Sequence, residues 1–154
     1  MKFTNSLIKG KLLKRYKRFF ADIKVNNKII TAHCPNTGSM QGLLDEGNEV
    51  LVTEHDDPKR KLKFTLEIIK AKKRYVGVNT HRANRIVNHG LENKLISEFK
   101  TIKNIKPEFK FSDDTRFDFL CDSNLIEVKN VTLFRENDIA EFPDAVTSRG
   151  TKPV

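Results

Sequence analysis

KLKFTLEI, Lys61–Ile68, alternates without a break: Leu62, Phe64, Leu66 and Ile68 fall on one face, and Lys61, Lys63, Thr65 and Glu67 on the other. That period belongs to a strand with one side in a core. Downstream, RYVGVNT is its partner across a turn at Lys72-Lys73, and upstream GNEVLVTEH reads as another short strand. Further back, RFFADIKV and NNKIITA read as two strands joined at Asn26-Asn27, residues that tolerate the positive φ of a tight hairpin. HCPNTGSMQG, residues 33–42, is rich in Pro, Asn, Gly and Ser and reads as a loop.

Short strands at close spacing with polar turns predict a small antiparallel barrel, and an OB-like barrel over residues 1–80 fits best. The charge agrees with it. Residues 1–80 hold 17 Lys or Arg against eight Asp or Glu, whereas residues 81–154 hold twelve of each. The excess is clustered: KGKLLKRYKR, Lys9–Arg18, has six basic residues and no acid, and KRKLK (59–63) and KAKKR (70–74) add two groups. Such a surface attracts polyanions through counterion release, nucleic acid foremost; a plain solvated surface is the alternative. Arg15, Lys17, Arg18 and Lys61 are the candidate backbone contacts. The loop residues Asn36, Thr37 and Ser39 either cradle a phosphate with backbone N–H groups and hydroxyls or belong to a turn that closes the barrel. Phe19 and Phe20 adjoin the basic run and can stack on bases, although Phe20 is expected in the core.

Nothing in the sequence has the length of an apolar membrane span, and lysines interrupt the N-terminal apolar residues before a secretory segment forms, so a cytoplasmic protein with no membrane partner is expected. Cys34 and Cys121 are too few and too distant for a disulfide scaffold or a paired-ligand zinc site. His33, His55, His81 and His89 show no catalytic spacing and are expected in structural or surface roles. Oligomeric state leaves no mark in the sequence.

At Thr80 the period changes. Ala83, Val87, Leu91, Leu95 and Phe99 recur every four residues with Ile86 beside them, which predicts a helix that Asn79 or Thr80 can cap and Gly90 can divide. Strands return after Pro107 as EFKFS, RFDFL and LIEVKNVTL, so a second domain of α/β type spans residues 81–154.

In LIEVKNV, Glu127 and Lys129 share a face; in RFDFL, Asp118 lies opposite Phe117 and Phe119. A hairpin across CDSN brings Asp118 near Glu127. Two carboxylates converging on one spot suit Mg2+ or Mn2+, and a lysine on the same face can steady a phosphate during metal-assisted hydrolysis. Alternation of polar and apolar residues on a half-exposed strand explains the same pattern without chemistry.

Taken in order, LLKRYKRFFADIKV, TAHCPNTGSMQGLL, KRKLKFTLEII, VGVNTHRAN, RFDFL, IEVKNVTL and FPDAVTSRG resemble the SfsA family, the sugar fermentation stimulation proteins, over nearly the whole chain. The resemblance implies an α+β chain: an OB-like barrel followed by a domain similar to the PD-(D/E)xK nucleases. It implies DNA binding with little sequence preference and a link to regulation of sugar, notably maltose, metabolism. By the same resemblance Asp118 and Glu127 match the metal-binding acids and Lys129 the catalytic lysine, with Glu108 a further candidate acid. In FPDAVTSRG, Asp144 can reach the metal and Arg149 can hold a phosphate. Family members continue past that motif, so a chain ending at Val154 is expected to be truncated, with its second domain incomplete. The alternatives to a DNA-binding regulator are a metal-dependent nuclease and a basic RNA-associated protein.

Overall fold

The computed structural model describes residues 2–134 and 140–141, with the backbone alone for Phe134 and Ala140. The chain divides into two compact units, one of Lys2–Thr80 with the described residues after Asn130 (131–134 and 140–141), the other of His81–Asn130. Those described residues, expected in the second part, thus cluster with the first: Thr132 and Leu133 are buried, and Thr132 accepts a bond from Asn36.

The first unit is built from β1 (Leu7–Tyr16), β2 (Phe20–Val25), β3 (Lys28–His33), β4 (Glu49–Glu54), β5 (Phe64–Ala71) and β6 (Arg74–Gly77). Their order is β3-β2-β1-β4-β5-β6, and a parallel pairing of β3 with β5 closes the first five strands into a barrel of OB connectivity. The expected hairpin joins β2 to β3, with Asn26 at φ +53°. β1 is long enough to serve two neighbours, so Lys11 lies opposite Lys24 of β2 and Glu49 of β4. Glycine sits at position 10 because the strands close tightly there: a Cβ would lie 2.5 Å from Ile23 Cγ2 and 3.0 Å from the Lys24 carbonyl oxygen.

Two bulges set which residues face inward. Between Leu12 and Lys14 the pairing with β2 shifts by one, so Leu13 is the extra residue; between β4 and β5 the extra residue is Glu67. The strict alternation of KLKFTLEI therefore does not hold through β5. Leu66 and Ile69 both enter the core, Ala71 follows, and Ile68, expected inside, is half-buried. Glu67 itself is 2% exposed rather than on a wet face. An unpaired carboxylate there would cost several kcal/mol. Instead Oε1 accepts the Thr53 hydroxyl at 2.8 Å and Oε2 the Asn79 amide at 2.9 Å. Leu12, Ile23, Val50, Val52, Leu66 and Ile69 fill the barrel, joined by Met40 and Leu43 from the loop after β3.

The second unit comprises α1 (His81–Glu92), a 3₁₀ turn (Ser97–Phe99), and an antiparallel sheet of β7 (Ile105–Lys110), β8 (Arg116–Cys121) and β9 (Asn124–Ile126). Gly90 does not divide the helix. The stop comes at Lys94, φ +55°, where Leu95 N–H bonds the Gly90 carbonyl and Lys94 N–H that of Leu91, the six-to-one and five-to-two bonds of a Schellman end. Glycine at 90 admits Ile96, whose side chain lies 3.2 Å from where a Cβ would be. Leu95, expected on the core stripe, is consequently exposed, as is Ile86, while Leu91 packs with Phe119, Cys121, Val87 and Ile96. In the first unit, β10 (Leu133–Phe134) pairs with β11 (Ala140–Glu141).

Replacing Gly10 by Ala should push β1 away from Ile23 and lower stability by about 1–3 kcal/mol, read as a drop in urea midpoint. An unchanged midpoint would refute the close approach.

Candidate functional site

In the second unit, β8 alternates so that Phe119 and Cys121 enter the core and Asp118 faces a cavity of about 350 Å³. The cavity's other walls are the polar line Asn84, Asn88 and Glu92 on α1, with Arg85 and His89 beside it, and Pro107 and Glu108 on β7. That line sits at i, i+4 spacing. The sequence carries it in plain view, beside the apolar stripe of the same helix. Asp118 is fixed at both oxygens: the Asn84 amide donates to Oδ1 at 2.6 Å and the Val128 N–H to Oδ2 at 2.6 Å. Glu108 falls opposite Asp118 in the β7–β8 register and has φ +52°, a conformation rare for a non-glycine residue within a strand.

LIEVKNV does not continue as a strand. β9 ends at Ile126, and the N–H of Val128 goes to the Asp118 side chain instead of the main chain of β8. Extending the register of Phe119 with Ile126 by one step would place Glu127 opposite Asp118. As it stands, Glu127 and Lys129 form an ion pair with each other on the surface and do not line the cavity. The structure thus ties Asp118 to the backbone between Glu127 and Lys129 without gathering the three side chains in one pocket. No group of three His, Cys, Asp or Glu side chains poised for a metal occurs among the described residues.

In the barrel unit, the Leu13 bulge has a second effect. Leu12 pairs with the buried Ile23, and after the extra residue Lys14 pairs with the outward Asp22, so Lys9, Lys11, Lys14 and Tyr16 all share the outer face. Lys9 is neutralised by Glu49 at 2.6 Å, and Lys14 lies 3.7 Å from Asp22. The pair raises the Lys9 ammonium, and the Lys9 hydrogen bond lowers the Glu49 carboxyl. Lys11 and Lys24, by contrast, stand directly opposite one another, both exposed, with no ion-pair partner among the described residues. Like charges in that position oppose each other.

Lys17 and Arg18 form the exposed tip between β1 and β2, at φ +47° and +63°. Arg15 and Asn36, expected as DNA contacts, turn out to shape the loops. The Arg15 guanidinium donates to the carbonyls of Arg18 at 3.1 Å and Asn36 at 2.7 Å. Asn36 is 4% exposed, its Oδ1 accepting the Gly38 N–H at 2.8 Å and its amide donating to Thr132. With Met40 and Leu43 in the core, the loop after β3 closes the barrel as a turn would. Thr37, Ser39 and Lys61 are exposed; Arg149 and Asp144 lie outside the described residues. Both cysteines are buried, and desolvation pushes their thiols up, holding them protonated. Among the histidines, His33 stacks on Phe19, His55 contacts the Thr53 hydroxyl and His89 lines the cavity.

The sequence matches the family model of the SfsA N-terminal OB domain over residues 13–78 and that of the sugar fermentation stimulation protein RE domain over residues 81–154. It is 65% identical to a sugar fermentation stimulation protein homolog of Pelagibacter ubique, covering 99% of this chain and 67% of the relative. A homolog from Alteromonas mediterranea is 45% identical, with 99% and 68% covered. Among solved structures, Pyrococcus furiosus SfsA, determined in complex with Ca2+, matches with a TM-score of 0.81 over 97% of this chain and 64% of that one. At 22% identity this is a likeness of fold. The chain spans about two thirds of the length of these relatives.

The β8–β9 turn that sets the register of Asp118 depends on a second carboxylate. Asp122 accepts the N–H groups of Asn104 at 3.0 Å and Lys103 at 3.2 Å, which hold its carboxyl below the ordinary aspartate value. A folded-state value below the unfolded one contributes stability that is complete at neutral pH and lost as the pH falls through the lowered value. Thermal melts should find Asp122→Asn less stable than the parent at neutral pH, with the gap closing as the pH falls through the lowered Asp122 value. A gap that widens in acid would contradict the bonds.

Proposed function

The chain belongs to the sugar fermentation stimulation (SfsA) family, and from that premise we propose that it binds DNA with little sequence preference, in the control of sugar metabolism, maltose included. The observation that carries this reading is the Lys11–Lys24 pair on the outer face of the barrel. Two ammonium groups set against each other repel, and although Glu49 flanks Lys11 on β4, a polyanion laid across the pair would relieve that repulsion. Lys17, Arg18 and Lys61 add positive charge at exposed positions. Phosphate contacts carry no sequence information, in keeping with weak sequence preference. No helix among the described residues is long and apolar enough to cross a membrane.

The test is the salt dependence of binding to unrelated duplexes. Affinity should fall steeply with salt and vary little with sequence, and Lys11→Ala or Lys24→Ala should each lower the slope of log K against log salt by roughly 0.9. A strong preference for one sequence, or affinity indifferent to salt, would overturn the reading.

A second reading, metal-dependent cleavage of DNA, rests on the fixed carboxylate of Asp118. Mg2+ takes one or two carboxylates and fills its shell with water and phosphate oxygens; Asp118 lines the cavity, and Glu127 would have to leave its pair with Lys129 to join it. When bound, such an ion polarises a phosphoryl oxygen. Asn84 and the Val128 N–H orient Asp118, and Lys129, held by Glu127, offers a positive charge to a phosphate. Cleavage dependent on Mg2+ or Mn2+ should drop by about 100-fold or more in Glu127→Gln and Lys129→Ala while binding persists. A parent protein that binds DNA and never cuts it would eliminate this second reading and leave the first.

A further inference from the structure

Four rings gather at one end of the basic outer face. Tyr16 of β1, Phe20 of β2 and His33 of β3 are cross-strand partners in one row, since Tyr16 pairs with Phe20 and Phe20 with His33. Directly opposed side chains share a face of the sheet. Their neighbours Ala21 and Ala32 are fully buried, so the row lies on the outside of the barrel. Tyr16 and Phe20 stack with centroids 5.5 Å apart and planes 15° from parallel. Phe19, one residue before β2, reaches over His33, with centroids 6.4 Å apart and an angle of 26°.

Phe19 is the unusual member. The residue remains 43% exposed although its backbone is held firmly: its N–H bonds the Lys17 carbonyl at 2.8 Å and its carbonyl accepts the Cys34 N–H at 2.8 Å. A large aromatic side chain held out from an anchored backbone loses hydrophobic stabilisation that burial would provide. On either side of it stand cations. Lys17 and Arg18 precede it at the hairpin tip, and Lys14 Nζ sits 5.4 Å from the Tyr16 ring centroid.

An exposed ring backed by three half-buried ones, with cations beside them, matches the two demands of an unpaired nucleic-acid strand, a flat apolar face for a base and positive charge along the sugar-phosphate chain. A duplex offers only the second, because its base faces are covered by stacking. We propose that this row is a base-stacking platform, with Phe19 as its outer member, and that the protein prefers single-stranded over double-stranded DNA. The proposal rests on the DNA-binding reading above and narrows its ligand. Stacking is tolerant of base identity, so a preference for unpaired strands is compatible with weak sequence selectivity.

The test compares labelled oligo-dT of roughly 16 nucleotides, the same backbone made of abasic sites, and a hairpin duplex of equal charge, at one salt concentration. The parent should bind oligo-dT more tightly than either of the others. Phe19→Ala should weaken oligo-dT binding roughly 5- to 100-fold, the range for losing one base stack, and leave the abasic strand and the duplex within about twofold. Phe19→Trp should retain the preference, and melting curves should show both variants folded at the assay temperature, with Phe19→Ala lowered by no more than the lost contact with His33. If Phe19→Ala weakens all three ligands equally, or none, stacking is refuted while DNA binding through charge stands. A parent that binds none of the three overturns both proposals.

Discussion

A small barrel closes only if its strands can bend, and here the bending is concentrated at two inserted residues, Leu13 and Glu67. Each insertion changes which residues face the core from that point on. At Glu67 the change admits Ile69 and Ala71 in place of Ile68, and it drives a carboxylate into the interior, where Thr53 and Asn79 satisfy it. At Leu13 it returns Lys14 and Tyr16 to the side already occupied by Lys9 and Lys11. The basic and aromatic face is thus a result of the same geometry that closes the barrel.

The barrel, the hairpin at Asn26-Asn27 and the start of the helix were legible in the sequence because each depends on local chemistry: alternation, a turn that tolerates positive φ, a four-residue stripe. The Glu67 bulge was not, since the alternation of KLKFTLEI reads identically whether or not the strand carries an extra residue, and only the partner strand reveals the slip. Leu95 was misplaced for a related reason. It continues the stripe in sequence, but Lys94 has already turned the chain out of the helix.

The same limit applies to the candidate site. The sequence pattern brings Asp118 and Glu127 into one register, and that register exists as far as Ile126. What spacing does not disclose is competition for a single N–H. Asp118 captures that of Val128, the strand ends, and Glu127 turns to Lys129. Asn36 is a parallel case: its composition-based promise as a phosphate ligand is absorbed by the Gly38 N–H and Thr132. Polar residues that look available in a sequence are often already committed to the backbone around them.

Arg15 holds the hairpin tip in place by gripping the carbonyls of Arg18 and Asn36, two segments far apart in the chain. A partner arriving at that tip meets a loop that gave up its conformational freedom during folding, so association orders little that is new. Loosening this clamp would leave every contact chemically intact while adding an ordering cost to each association.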